Sequence, residues 1–154
     1  MKKVLLFLVL IFSMTQVCFA QNMKGNELIN SARKLFNDYK TYSENFDLQL
    51  INLYFDDASI EMIRVYQNNE SKVLHINGGQ LKTLLTQVLP TAKTKGDIDK
   101  FYNEKYTILD ELTVKIDCTR YSVLREYESP HVMIIKLTEN RNFKIIYEKV
   151  VQIL

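Results

Sequence analysis

The stretch that decides the fold runs from position 53 to position 61 and reads Leu-Tyr-Phe-Asp-Asp-Ala-Ser-Ile-Glu. Its first residues close a short apolar pattern that predicts a helix, and Asp56 with Asp57 interrupts that pattern. Ala58 is small enough to turn tightly, and Ile60 then starts a strand that faces the core. The stretch therefore predicts a corner at which the chain leaves a helix and enters a strand.

The residues before this corner predict two helices. Between Glu27 and Tyr42, apolar side chains recur every three or four residues and so form one stripe, with Asn26 as the N-cap. A shorter helix is predicted from Asp47 to Tyr54, because its apolar residues also share one side. Both helices are therefore expected to pack on a core through one face.

The residues after the corner predict a hairpin and a third helix. Ser59–Gln67 and Ser71–Asn77 have the alternation of strands, and positions 68 and 69 between them are both Asn, which tolerates the positive φ of a tight turn. From Gln80 to Leu89 the leucines recur at helical spacing. Pro90 is expected to end or kink this helix.

The second half of the chain predicts strands. A polar loop is expected from 91 to 103, and from Lys105 onward the residues alternate between apolar and polar, with turns at 128–130 and 139–142. Such short connections suit antiparallel neighbours. The predicted class is α+β: a curved antiparallel sheet wrapped around helices in the order ααββαβββ, as a cone-shaped barrel.

The last predicted strand, Phe143–Ile153, carries apolar side chains on both faces. Its odd-numbered apolar positions form one face, while Ile146, Val150 and Leu154 lie on the other. A strand of this kind is usually covered on both sides, and the helices can cover only one. A homodimer formed through the outer sheet face is one explanation, and scattered surface aliphatic residues are the other.

The corner from Leu53 to Glu61 resembles the nuclear transport factor 2-like superfamily, which includes polyketide-cyclase-like and ketosteroid-isomerase-like proteins. Their corner commonly has an aromatic or Leu pair, Asp-Asp-Ala, a small polar residue, an aliphatic residue and Glu. The element order extends the resemblance over Leu28–Leu154. The resemblance implies a curved sheet wrapped around a helix, with a pocket that opens between them.

The sequence departs from the isomerases at the residue that performs their chemistry. In those enzymes a catalytic Asp follows directly after the strand Glu, but the matching position here is Met62, and Ile63 stands where they have proline. Tyr39 matches roughly the tyrosine of the first helix that donates a hydrogen bond to their substrate. A donor without a base is not a proton-transfer site. The residues therefore disfavour steroid-isomerase chemistry.

Tyrosines and arginines on otherwise apolar faces are the candidate pocket residues. Tyrosines give a pocket apolar walls with polar tips, and an arginine inside a cone holds a carboxylate or another polar group. The alternative for each arginine is a place at a sheet edge with its head in water. The candidates are Tyr39, Tyr54, Arg64, Tyr66 and Arg120.

Two functions of different classes follow from this set. The first is a small ligand-binding or protein-interaction module without catalysis, whose ligand is apolar or carries a carboxylate. The alternative is a polyketide-cyclase-like or isomerase-like enzyme that acts on an apolar substrate, with Asp57 or Glu61 as the base. For Asp57 the simpler explanation is that it ends the preceding helix and is solvated.

The sequence lacks the motifs of other chemistries. Its two histidines, His75 and His131, do not have the spacing of a metal site, and there is no phosphate-binding glycine loop and no Gly-x-Ser-x-Gly. No cofactor and no metal are therefore expected. Cys118 lies on an alternating apolar face and is expected to be a packed, unreactive thiol.

Residues 1–20 have the three zones of a secretory signal peptide. Two lysines precede the apolar run Val4–Phe12, and small side chains lie three and one positions before a cut ahead of Gln21. Nine apolar residues are too few to span a bilayer, which disfavours a retained anchor. The residues before Cys18 disfavour lipid attachment there. The protein is expected in the periplasm or outside the cell, with residues 21–154 forming one domain.

Cleavage of the signal peptide changes the charge of the protein. The full chain has 20 basic and 18 acidic side chains, and Lys2 and Lys3 are removed with the signal, so 18 of each sign remain. A formally neutral domain lacks the basic surface that nucleic acid or anionic lipid would attract. Neither nucleic acid nor a membrane is therefore an expected partner.

Overall fold

The structure is a computed structural model that describes residues 25–154, so the predicted signal peptide lies outside the described residues. Within these residues, two α-helices, α1 and α2, and one 3-10 helix accompany six strands. The helices are α1 Gly25–Asn45, the 3-10 helix Leu48–Leu53 and α2 Gly78–Lys95; the strands are β1 Tyr54–Val65, β2 Ser71–Asn77, β3 Asp99–Ile108, β4 Thr113–Ser122, β5 Tyr127–Leu137 and β6 Phe143–Ile153.

The six strands form one open sheet in the order β2-β1-β6-β5-β4-β3. All neighbours are antiparallel except β1 and β6, which run parallel. The sheet is therefore mixed rather than wholly antiparallel, and it has one more strand than predicted, because β3 begins at Asp99 inside the expected loop. The α+β class with a curved sheet packed against helices is confirmed.

One apolar core joins the helices to the inner face of the sheet. Helix α1 contributes the stripe that its periodicity predicts, and the sheet contributes alternate residues of β1, β4, β5 and β6. The fully buried members include Ala32, Phe36, Ile60, Ile116 and Met133. Burying such a stripe against alternating strand positions is the main source of stability in a domain of this class.

The corner after the 3-10 helix differs from its prediction in detail. Asp47 caps this helix by accepting from the Gln49 N–H, and Tyr54 already has extended backbone, so β1 begins there. Asp56 is therefore a strand residue and does not end the helix. The start of α2 lies directly against this corner: a Cβ on Gly78 would come within 1.8 Å of the Phe55 carbonyl oxygen.

Helix α2 is longer at both ends than its apolar pattern predicts. Asn77 and Gln80 form a reciprocal capping box at its start, and Gly96 ends it with a φ of 64°. Pro90 lies inside the helix on its exposed side, so the expectation that it ends the helix is wrong. The Thr94 hydroxyl donates to the Pro90 carbonyl, which keeps the last turn ordered.

The predicted N-cap of the first helix and the predicted turn at 128–130 lie inside a helix and a strand instead. Asn26 is inside α1 rather than its N-cap. Ser129 and Pro130 lie inside β5, because the tight connection between β4 and β5 comes earlier, at residues 123–126, where Glu126 has a φ of 53°. The turn at positions 68 and 69 is confirmed, since Asn69 has the positive φ that its type favours.

A bulge in β6 changes the direction of its side chains. Ile134 pairs with Tyr147, but the next residue, Ile135, pairs with Ile145, so Ile146 is one residue too many. A bulge reverses the alternation of all residues beyond it. The prediction that Tyr147 shares a face with Ile145 is therefore wrong, and the even-numbered residues after the bulge point inward.

Candidate functional site

Glu148 lies on the inner face of the sheet because of the β6 bulge. It stands opposite Ile60 on β1 and Met133 on β5, both of which are core residues. Its exposed fraction is 3%, which is rare for a carboxylate. A buried carboxyl group of this kind must be hydrogen-bonded, since an unpaired one would destabilise the fold strongly.

Two tyrosine hydroxyls hold the two oxygens of this carboxyl group. Tyr39 on α1 donates to Oε1 at 2.7 Å, and Tyr54 at the start of β1 donates to Oε2 at 2.7 Å. The helix stripe brings the first tyrosine to the core, and the corner after the 3-10 helix brings the second. Three segments far apart in the chain therefore meet at Glu148.

Burial dominates the protonation of this cluster. It raises the pKa of Glu148 above its ordinary value, although the hydrogen bonds from Tyr54 and Tyr39 lower the pKa in part. Burial and the neighbouring Glu148 also raise the pKa of Tyr39 and of Tyr54 well above 10. Both hydroxyls therefore keep their protons and remain donors at neutral pH.

His131 is the next polar residue of the interior. It lies on β5, with an exposed fraction of 1%, and its ring centroid is 5.1 Å from that of Phe101 and 5.9 Å from that of Tyr39. Its Nε2 is 3.3 Å from Glu148 Oε1, but neither ring nitrogen makes a hydrogen bond with any residue from 25 to 154. Burial, with a smaller effect of Arg120, lowers the pKa of His131 to about 3, so the ring is neutral.

Arg120 is buried and makes three polar contacts. Its Nη2 lies 2.7 Å from Asp99 Oδ1 on the neighbouring strand β3, and its Nη1 donates to Tyr127 Oη at 3.0 Å and to the Val151 carbonyl at 3.2 Å. The guanidinium thus meets the requirement that a buried charge be paired. It lies on the inner face of the sheet, and its charge is balanced by Asp99.

Two buried serines complete the inner face near this pair. Ser122 ends β4 and Ser129 stands opposite Arg120 on β5. Their exposed fractions are 1% and 4%, and neither hydroxyl has a hydrogen-bond partner within the described part of the chain. Together with the His131 ring, they form a strip of buried polar groups that have no hydrogen-bond partner among residues 25–154.

The structure separates the five predicted pocket residues. Tyr39, Tyr54 and Arg120 lie inside, at the positions described above. Arg64 is exposed near the end of β1, and Tyr66 is half-buried beyond that strand, where the Lys72 ammonium lies 5.7 Å from its ring centroid. Alternation places Arg64 on the inner side of its strand, but too near the end of the sheet to be covered.

The two carboxylates that the enzyme interpretation needs as a base are not in the interior. Asp57 is exposed, and Glu61 lies on the outer face of the sheet. There Lys149 forms an ion pair with Glu61 at 3.1 Å and Tyr147 donates to its other oxygen at 3.0 Å. The hydrogen bonds from Lys149 and Tyr147 lower the pKa of Glu61, the opposite of what a base in an apolar pocket requires.

The sequence interpretation missed four interior polar residues, namely Glu148, His131 as an interior group, Ser122 and Ser129. The two consecutive aliphatic residues Ile145 and Ile146 are the signal that would have revealed the bulge and so the direction of Glu148. Ser129 was hidden because Pro130 beside it favoured a turn. The Ser122 and Ser129 hydroxyls and the His131 ring can bind and orient a polar group, because together they offer donors as well as acceptors.

Comparison with known proteins finds solved structures of similar fold but no protein of similar sequence among family models or curated proteins. No protein-family model and no curated protein sequence matches the chain. Among solved structures, a nuclear transport factor 2-like protein of unknown function from Shewanella oneidensis MR-1 superposes with a TM-score of 0.60 at 9% identity, over 80% of this chain and 98% of that one. A cystatin-like fold protein from Burkholderia xenovorans LB400 gives 0.61 at 15% identity, over 84% and 94%.

Another similar structure carries a description as a candidate enzyme. This protein, a candidate scytalone dehydratase from Novosphingobium aromaticivorans DSM 12444, superposes with a TM-score of 0.51 at 11% identity, over 79% of this chain and 80% of that one. At such identities the similarity establishes the fold alone. The chain has the nuclear transport factor 2-like fold that the motif at Leu53–Glu61 predicts.

Proposed function

We propose that this protein binds a small, largely apolar molecule inside the hollow of its sheet and does so without catalysis. The observation that carries the proposal is the set of buried polar groups at the centre of an apolar face, above all His131, whose two ring nitrogens have no hydrogen-bond partner among residues 25–154. Unpaired buried polar groups each cost about 1–3 kcal/mol, and a ligand that pairs with them removes that cost.

Aliphatic residues at one end of the sheet support an entry point for such a molecule. Val123 and Leu124 in the β4–β5 connection are 38% and 47% exposed, and Ile153 at the end of β6 is 42% exposed. Arg125 donates to the Ile153 carbonyl, so these segments lie side by side. Val123 follows Ser122 directly in the chain, so this end of the sheet adjoins the buried strip.

The catalytic alternative has less support from the geometry. Asp57 and Glu61, the carboxylates that sequence reasoning nominated, lie outside the interior. The interior acid is Glu148, and both of its oxygens already accept hydrogen bonds from tyrosines. A carboxyl group held in this way is better suited to fixing Tyr39 and Tyr54 than to taking a proton from a substrate.

Native mass spectrometry of the protein purified from its own host tests the proposed binding. We expect a non-covalent adduct of small mass, and we expect the purified protein to bind the neutral apolar fluorophore N-phenyl-1-naphthylamine. The substitution Cys118→Leu fills the inner face opposite His131 and should weaken binding, while Thr119→Leu on the outer face should not. Absence of both an adduct and fluorophore binding would overturn the proposal.

We also propose that the protein acts after export, in the periplasm or outside the cell. The support is the signal-like pattern of residues 1–20, which lies outside the part of the chain that the structure describes. Fractionation of the host cells, with the N-terminal residue of the purified protein determined by sequencing, tests this. Mature protein that begins at Gln21 is expected, and a cytoplasmic protein that keeps Lys2 and Lys3 would contradict it.

The outer face of the sheet is proposed to meet a second copy of the chain. Alternation places Ile63, Val132, Ile134 and Val151 on this face together with the Glu61–Lys149 ion pair. A patch that carries aliphatic residues and both charges is complementary to itself, as a two-fold interface requires. Sedimentation at micromolar concentration should give a dimer that Val151→Glu dissociates, whereas a monomer of the unmodified protein would rule the interface out.

A further inference from the structure

Asp99 Oδ1 on β3 forms an ion pair with Arg120, and the other buried polar groups without hydrogen-bond partners among residues 25–154 lie on the adjacent strands β4 and β5. Ser129 and His131 are two residues apart on β5, so they share a face at a spacing of about 7 Å. Ser122 lies on β4, two residue pairs along from the pair formed by Arg120 and Ser129. The three side chains form a continuous strip, which we name the β4–β5 polar strip.

This strip is buried but not satisfied within the described chain. The Ser122 and Ser129 hydroxyls and both nitrogens of His131 lack hydrogen-bond partners among residues 25–154, although all three side chains are at least 96% covered. Apolar side chains at these positions would avoid the cost of burying polar atoms. The strip is therefore arranged to pair with a group that residues 25–154 do not supply.

The charges around the strip disfavour an ionic ligand. An anion would lie near the carboxyl groups of Glu148 and Asp99, and a cation would lie near the Arg120 guanidinium. Arg120 is also committed to Asp99, Tyr127 and a backbone carbonyl, so it has little capacity left for a carboxylate. The ligand that suits these surroundings carries no net charge.

The hydrogen-bonding capacity of the strip defines the groups on that ligand. A serine hydroxyl both donates and accepts, and a neutral imidazole donates from one nitrogen and accepts at the other. Hydroxyl groups on a ligand can both donate hydrogen bonds to these groups and accept hydrogen bonds from them, whereas an ether or ketone oxygen can only accept. Because Ser129 and His131 are about 7 Å apart along β5, a single hydroxyl cannot pair with both of them.

We propose that the β4–β5 polar strip recognises a neutral small molecule that carries at least two hydroxyl groups on an apolar frame. This inference rests on the proposed binding function and adds to it the chemical class of the ligand. The Phe101 ring beside His131, with Met62 and Val150 on the strands across from it, contacts the apolar part. The hydroxyl groups pair with Ser129 and His131.

A matched series of three probes tests the ligand class. Benzene-1,4-dimethanol carries two hydroxyls, 1,4-dimethoxybenzene has the same frame without a donor, and terephthalate is the corresponding dianion. Titrations monitored by the NMR signals of the His131 ring should show the diol binding about tenfold more tightly than the ether, a difference of about 1.4 kcal/mol. Terephthalate should bind more weakly than either neutral compound.

Two pairs of variants locate the effect on the strip. Isothermal titration, which does not depend on the His131 signals, should show that Ser129→Ala and His131→Phe each lower the affinity for the diol about tenfold and leave that for the ether unchanged. Their controls, Ser59→Ala and His75→Phe, alter exposed residues of β1 and β2 and should change neither affinity. Equal loss of both compounds in Ser129→Ala would show a general packing effect and overturn the inference.

Thermal unfolding gives an independent measurement that needs no ligand. If the Ser129 hydroxyl has no partner in the free protein, Ser129→Ala should leave the Tm unchanged or raise it. A clear fall in the Tm would mean that the hydroxyl is already paired, which would contradict the inference even if the variant bound poorly.

Failure of this inference and failure of the proposed function give different results. If N-phenyl-1-naphthylamine binds but the diol shows no preference over the ether, the hollow takes apolar ligands and the polar strip does not select hydroxyls. If neither the fluorophore nor any of the three probes binds, the proposed binding function itself is wrong.

Discussion

Two tyrosine–glutamate clusters lie on opposite faces of the same two strands. On the inner face, Tyr39 and Tyr54 hold Glu148; on the outer face, Tyr147 and Lys149 hold Glu61. The partner groups are similar, and the two carboxyl groups lie on neighbouring residue pairs of β1 and β6. Burial is the main difference between them, because Glu148 is covered and Glu61 is partly in water.

The difference shows how the environment decides what a carboxyl group can do. Burial raises the pKa of Glu148, whereas the hydrogen bonds from Lys149 and Tyr147 lower the pKa of Glu61. The outer cluster is a surface ion pair of small energetic value. The inner cluster fixes three segments of the chain around the proposed ligand site, so its loss should affect both stability and binding.

The largest expected effect comes from removing the inner carboxyl group. Glu148→Ala leaves two buried tyrosine hydroxyls without an acceptor and opens a cavity, so we expect a loss of about 3 kcal/mol or more in the free energy of unfolding. Glu61→Ala on the outer face should cost about 1 kcal/mol or less. Denaturant unfolding measures both, and equal losses would mean that the two clusters do not differ.

Deleting single hydroxyl groups should show the same contrast at a smaller scale. Tyr54→Phe removes one hydrogen bond to the buried carboxyl group, which we expect to cost about 2 kcal/mol, while Tyr147→Phe should cost less than about 1 kcal/mol. The loss of a donor should also raise the pKa of Glu148 further. Unfolding curves that rank the two variants in the reverse order would contradict the assignment of inner and outer clusters.

The dependence of stability on pH tests the neutral state of His131. Burial lowers its pKa from 6.5 to about 3, so between these values the unfolded chain binds a proton that the folded protein excludes. Stability that is present above pH 6.5 is therefore lost as the pH falls, by about 1.4 kcal/mol per pH unit for one proton. The raised pKa of Glu148 acts with the opposite sign above pH 4.5.

The substitution His131→Phe separates these two contributions. It should remove the loss of stability on acidification from pH 6.5 to 5, whereas Glu148→Gln should leave that loss in place and remove the opposing effect. The measurement is the free energy of unfolding at several pH values for both variants. An unchanged acid loss in His131→Phe would show that the ring is protonated in the folded protein.

The smallest effect is expected for a residue that the sequence placed in the pocket. Arg64 is exposed near the end of β1, so Arg64→Ala should change stability by no more than about 0.5 kcal/mol and should leave ligand affinity unchanged. Isothermal titration with benzene-1,4-dimethanol checks the second part. A tenfold loss of affinity would mean that the arginine folds over the hollow when the ligand binds.

The sequence predicts those parts of the fold that depend on regular periodicity. The stripe of α1 and the alternation of β4 repeat without interruption, and the structure contains both as expected. Tyr39 and Tyr54 are also brought to the interior that the resemblance implies, though the sequence does not reveal that both face Glu148. Such a meeting depends on pairing between segments more than 90 residues apart.

Prediction from the sequence fails where a single residue interrupts the regular pattern of a helix or strand. The extra Ile146 in β6 reverses the direction of the side chains that follow it, so uninterrupted alternation gives no sign that Glu148 faces the core. Pro90 and Pro130 mislead for a related reason: each removes one backbone donor, but the surrounding helix or sheet is stable enough to continue. Local propensity gives no measure of that tertiary support.

A crystal structure of the protein purified from its own host tests the central claim most directly. The account predicts electron density from a bound small molecule on the inner face, with oxygen atoms within hydrogen-bond distance of the Ser129 hydroxyl and the His131 ring. Glu148 should remain between Tyr39 and Tyr54. An inner face on which these groups contact only water, even after soaking with benzene-1,4-dimethanol, would contradict it.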